Sequence, residues 1–145
     1  MNKLHLARVK YLIVHHSGME HTDDPVNDIR TLHVNVNKWD DIGYHWIITP
    51  DGVIKDGRDV QYIGAHCKGH NSVSFGVCLT GQDGEFTPAQ FFALGQLYTR
   101  LRGLSEQPIK ILPHRHFKAT ECPHFDIPWS YDRESISGQE DNSRA

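Results

Sequence analysis

The sequence predicts an α/β domain, a single mixed central β-sheet flanked by helices, and three observations carry that prediction. Short apolar runs rich in β-branched and aromatic residues alternate along the chain with two segments of helical periodicity. A length of 145 residues with 38% hydrophobic residues suits one domain around one core. No internal repeat divides the chain before its composition turns polar beyond Asp132.

Taken in order, Tyr11-Leu12-Ile13-Val14 reads as a buried strand that delivers His15-His16-Ser17-Gly18 to a loop. Asp24-Pro25 then supplies an N-cap and first-turn proline. Val26, Ile29, His33 and Val36 follow at helical spacing, predicting a helix from Pro25 to Asn37. Tyr44 to Ile48 and Val53 to Lys55 flank Thr49-Pro50-Asp51-Gly52, whose proline and glycine suit a type I turn, so a hairpin is expected with Tyr44, Trp46 and Ile48 on one face. Phe75 to Leu79 reads as a central strand in which Gly76 allows close backbone approach and Cys78 is core.

Thr87-Pro88-Ala89-Gln90 places a capping box and an N1 proline at the start of a second helix, with Phe86 and Phe91 as a hydrophobic staple. Phe91, Leu94, Tyr98 and Leu101 line one face, and Gly103 is the expected stop. Ile109 to Leu112 forms the last strand, and Pro113 opens the loop from His114 to Pro123. Residues 1–131 are thus the expected folded domain and residues 132–145 a polar, flexible tail.

Composition narrows the function. A formal net charge of −3 offers no general attraction to phosphate backbones, so nucleic acid is not an expected partner. No apolar run reaches the ~18–20 residues of a membrane span or resembles a signal-peptide core, so synthesis in the cytoplasm without membrane insertion is expected. The cysteines Cys67, Cys78 and Cys122 form no Cys-x-x-Cys pair and are read as reduced thiols.

Eleven histidines stand out. His15 or His16 at one strand end, His114 at another, and Cys122 in the following loop offer two imidazoles and a thiol, and a three-ligand count suits a catalytic zinc rather than a structural one. A different chemistry is open to the same residues, with Cys122 as nucleophile and His114 or His124 as base.

Val14-His15-His16-Ser17, Gly43-Tyr44-His45, Gly57-Arg58, Gly64-Ala65-His66, Asn71 to Leu79, Phe86 to Gln90, and His114 with Cys122-Pro123 recur in order in a known family. Over roughly residues 10–130 the chain resembles the zinc-dependent N-acetylmuramoyl-L-alanine amidases of type 2, which include short phage lysozyme-like amidases and peptidoglycan recognition proteins. The resemblance implies one zinc per chain held by His15, His114 and Cys122. It selects His15 over His16, where strand periodicity does not choose, and His114 over His116, which lies nearer Cys122 in sequence.

It further implies that Tyr44 and Thr120 contact the reacting amide and that His66 and Asn71 line the substrate groove. Thr120 departs from the short phage amidases, which carry lysine there, and matches the catalytic recognition proteins; Lys118 could replace that charge.

The implied reaction is hydrolysis of the bond between N-acetylmuramic acid and the L-alanine of the stem peptide. The implied setting is a monomeric phage endolysin made in the host cytoplasm and released onto a thin peptidoglycan wall. A cytoplasmic recycling amidase is the alternative within the same chemistry, although such enzymes usually have aspartate in place of Cys122. Binding to a phage RNA polymerase, alone or beside amidase activity, is the alternative from another class.

Overall fold

The computed structural model describes residues 1–127, so the expected tail at 132–145 and the domain boundary before it lie outside the described residues. Five strands, β1 (Tyr11–His16), β2 (Trp46–Ile48), β3 (Ile54–Asp56), β4 (Ser74–Leu79) and β5 (Lys110–Pro113), form one sheet in the order β3-β2-β4-β1-β5. β2 and β3 are the antiparallel hairpin, closed by Gly52 N–H donating to Thr49 O at 2.8 Å, and the β2–β4, β4–β1 and β1–β5 pairings are parallel. The mixed sheet is therefore observed, with β4 at its centre.

Alternation on β1 divides the molecule. Leu12 and Val14 join Trp46, Ile48, Phe75, Val77 and Leu79 against helix α2 (Pro88–Leu104), which contributes Ala93, Leu94, Leu97, Tyr98 and Leu101. On the other face Ile47 and Cys78 pack against Val26 and Ile29 of helix α1 (Pro25–Arg30). The predicted first helix is continuous to Val36, but its second half, Thr31–Val36, is wound as a π-helix.

Helix α2 starts where its capping box requires: Thr87 Oγ1 accepts from Gln90 N–H and Gln90 Oε1 accepts from Thr87 N–H. The same Gln90, fully buried, donates its amide to Ile48 O and Thr80 O, tying the helix to the ends of β2 and β4. Phe86 and Phe91 both pack edge-on against Phe125, so the staple is closed through a third ring from the last loop. The helix runs past Gly103 to Leu104, and Ser105 caps it in an extended conformation.

One expectation about faces fails. Trp46 and Ile48 point to the α2 side, whereas Tyr44 packs with the α1 cluster. Strand β2 begins only at Trp46, so alternation does not extend back to Tyr44. Tyr44 instead sits in a tightly pinned approach: Arg58 donates to Asp41 O, Ile42 O and Ile63 O, and Arg58 N–H donates to Tyr44 O. No helix among the described residues is long and apolar enough to cross a membrane.

Candidate active site

The parallel pairing of β1 and β5 puts Val14 level with Pro113, so the next residues on each strand, His15 and His114, emerge side by side at the carboxyl edge of the sheet. Their ring centroids are 4.4 Å apart. Open α/β sheets build ligand sites at this edge, because the chain leaves the strands there in loops. A 3-10 turn, His114–His116, then redirects the chain, and Arg115 holds the loop that returns. Its backbone N–H donates to Cys122 O at 2.9 Å and its guanidinium to Phe125 O at 2.8 Å.

His15, His114 and Cys122 consequently offer one donor atom each, all within 4.8 Å of one another. His116 is exposed and outside the group. Burial, then the neighbouring imidazoles, push the pKa of His15 well below its ordinary value, and burial, then Lys118 and His16, lower that of His114. Both are neutral imidazoles at pH 7, the form that ligates metal.

Burial raises the Cys122 thiol to about 11, although the His16 N–H at 3.4 Å and Arg115 act in the opposite direction. A nucleophilic cysteine needs its pKa lowered, so this environment disfavours the cysteine-nucleophile chemistry; a dication beside the sulfur is what favours the thiolate.

The group lies in a cleft of about 690 Å³ whose lining also includes Tyr44, His66, Asn71, Lys118 and Thr120. Among its lining residues are two lysines, Lys68 and Lys118, and no carboxylate. Glycosidase chemistry requires a pair of carboxylates across the scissile bond, and the described residues lining the cleft supply none.

A family model described as N-acetylmuramoyl-L-alanine amidase matches residues 5–125. The chain belongs to the N-acetylmuramoyl-L-alanine amidase family. It is 39% identical over 112 residues to an endolysin of Enterobacteria phage K11, covering 72% of this chain and 73% of that one. With an endolysin of Klebsiella phage KP32 it shares 35% identity over 133 residues, covering 86% and 87%. Among solved structures, the N-acetylmuramoyl-L-alanine amidase LysC from Clostridium intestinale superposes with a TM-score of 0.75 at 27% identity, over 91% of this chain and 86% of that chain.

Within this amidase the remaining sequence-derived site residues are placed as follows. Tyr44 lies against His15 with centroids 5.1 Å apart and ring planes tilted by 48°, and its hydroxyl is held protonated by burial and by the nearby Cys78 and Cys122 thiols, so it is a hydrogen-bond donor. Thr120 accepts from Cys122 N–H through Oγ1 at 3.2 Å. His66 is buried with Nδ1 2.9 Å from His15 Nε2, and its ring occupies the space that a Cβ on Gly76 would need. The close approach at Gly76 is made by this imidazole rather than by the backbone expected there. Asn71 commits its side-chain oxygen to the backbone N–H groups of His66 and Cys67, bracing the loop that carries His66.

Two neighbours of the site escaped the sequence reading. His33 and Trp39 line the cleft with ring centroids 4.5 Å apart, and His33 Nδ1 accepts from Gly43 N–H at 2.9 Å. His33 sits at helical spacing with core residues, so nothing local distinguishes it from packing. His16, the candidate set aside in favour of His15, also reaches the group: its Nδ1 lies 3.2 Å from Cys122 Sγ. That contact arises because the loop from His114 brings Cys122 over the end of β1.

Proposed function

We propose that this amidase is a phage endolysin that binds one zinc ion through His15, His114 and Cys122 and cleaves the amide joining N-acetylmuramic acid to the L-alanine of the stem peptide. The observation that carries the reading is the convergence of two neutral imidazoles and a thiol on one point of a cleft whose described lining has no carboxylate. The donor set fits the ion: two nitrogens and one sulfur leave a fourth tetrahedral position for chemistry. Bound there, zinc supplies the Lewis acidity that polarises the scissile carbonyl and activates water.

The chain's own residues do the rest. The Tyr44 hydroxyl, protonated beside His15, donates to the oxygen that gains charge as the carbonyl carbon becomes tetrahedral. Thr120 spends a lone pair on Cys122 N–H, which leaves its own proton for the same oxygen. The attacking water gives its oxygen to the carbonyl carbon and sheds a proton that ends on the L-alanine nitrogen, so collapse breaks the carbon–nitrogen bond and releases an amine and the lactyl carboxylate. His66 and His16 orient His15 and Cys122 respectively. Asn71 acts by positioning His66, and Lys68 and Lys118 give the rim a positive charge that complements carboxylates of a stem peptide.

Endolysin is favoured over a recycling amidase by Cys122 and by the named phage relatives. A polymerase-binding role draws no support from the site or the relatives. Digestion of Gram-negative sacculi followed by mass spectrometry tests the reading. Free L-alanine amino termini on released peptides with uncut glycan strands are expected, and new reducing sugar ends without those termini would overturn it.

A further inference from the structure

Outside the catalytic group, His16, Asp83 and His124 also bring one ligand atom each within 4.8 Å of one another. We propose that these three side chains form a second site for a divalent ion of the zinc class, at the rim of the cleft beside the first.

The inference begins with the proton on His16. If Cys122 is a metal ligand, as the proposed function has it, its sulfur is a thiolate that only accepts hydrogen bonds. His16 Nδ1, 3.2 Å from that sulfur, then carries the proton. A neutral imidazole has one N–H, so Nε2 presents a lone pair. That lone pair faces Asp83 Oδ1 at 3.6 Å, acceptor toward acceptor and beyond hydrogen-bond reach. The other oxygen of Asp83 lies 3.1 Å from His124 Nδ1, and the His16 and His124 rings are 4.8 Å apart.

A cation between these atoms turns the opposed acceptors into an attraction. His16 Nε2 stands 3.6 Å from one oxygen of Asp83 and His124 Nδ1 3.1 Å from the other, each near the value of about 3.3 Å between neighbouring ligands on a tetrahedral ion with bonds of about 2.0–2.1 Å. Two imidazoles and a carboxylate are a donor set that zinc accepts.

Two backbone features favour the same point. Gly18, at φ +67, has no side chain, and a Cβ there would stand 3.2 Å from His16 Nε2, across the approach of an ion. His124 adopts φ 66, a left-handed conformation uncommon for a non-glycine residue, and its ring stands against Asp83. The three side chains are 12%, 64% and 35% exposed, so the ion exchanges with solvent without unfolding the chain. With an ion on Nε2, His16 becomes a stronger donor to Cys122, which couples the two sites.

The test is a cobalt(II) titration of the chelator-stripped full chain, followed by absorption, with zinc stoichiometry measured in parallel by equilibrium dialysis. The first equivalent should show sulfur-to-cobalt charge transfer from Cys122. A second, weaker equivalent should add ligand-field bands without further charge transfer. Asp83→Asn and His124→Ala should each weaken the second equivalent by at least about tenfold and leave the first unchanged. One equivalent in the unaltered protein, or a second equivalent indifferent to both substitutions, overturns the site. Missing charge transfer from the first equivalent would instead count against Cys122 as a ligand, while a second equivalent sensitive to Asp83 would still support the rim site.

Discussion

Replacing Gly76 with alanine should damage the catalytic site through a residue that never touches substrate. A Cβ at this position of β4 would lie 2.6 Å from two ring atoms of His66 and 2.8 Å from a third, against 3.4 Å for ordinary contact. The ring must therefore retreat by about 0.8 Å, and strand β4, paired on both sides, cannot move in its place. His66 is the buried partner of His15 at 2.9 Å, so the shift stretches that hydrogen bond or drags His15 with it.

Overpacking of this kind costs about 1–3 kcal/mol of stability. Misplacement of a catalytic group by about 1 Å can cost ~10²-fold in rate. Calorimetry together with turnover on purified sacculi measures both effects. Gly103→Ala is the control, because nothing lies within 4 Å of its added Cβ on exposed helix, and it should be neutral or stabilising by about 0.5–1 kcal/mol. Unaltered melting temperature and turnover in Gly76→Ala would refute the claim that His66 is wedged against this glycine to hold His15.

Elemental analysis should find zinc lost from His114→Ala and retained in His116→Ala, since only the former residue belongs to the group with His15 and Cys122; the reverse result would overturn the ligand assignment. Tyr44→Phe should keep its metal and lose about 10²–10³ in turnover, the usual worth of an oxyanion donor, and full activity would reduce Tyr44 to a packing residue. Stability to urea should fall as pH drops from about 6.5 to 4. Burial depresses His33 and His45 to about 4 in the folded chain, so the unfolded chain takes up these protons first and acid favours it. Asp28, Asp51 and Asp59 sit below their ordinary values, so their loss comes at still lower pH, and a denaturation midpoint flat across the upper window would contradict the histidine assignment.

What the sequence determined by itself was local. The capping box of Thr87 and Gln90, the Thr49 to Gly52 turn and the core strand ending at Leu79 were legible because their decisive contacts span a few residues or one strand period. The motif order carried the family. Tertiary structure decided what depends on register between distant segments. Parallel pairing of Val14 with Pro113 sets His15 beside His114, and a loop fastened by Arg115 lays Cys122 across the end of β1.

The same long-range placement gives His16 two partners, sends Tyr44 to the side opposite Trp46, and makes Gly76 a seat for His66 rather than a simple strand weakness. A side chain's face follows from periodicity only while its strand lasts, and which distant atom it meets is fixed by hydrogen bonds between strands. No window of sequence contains those bonds.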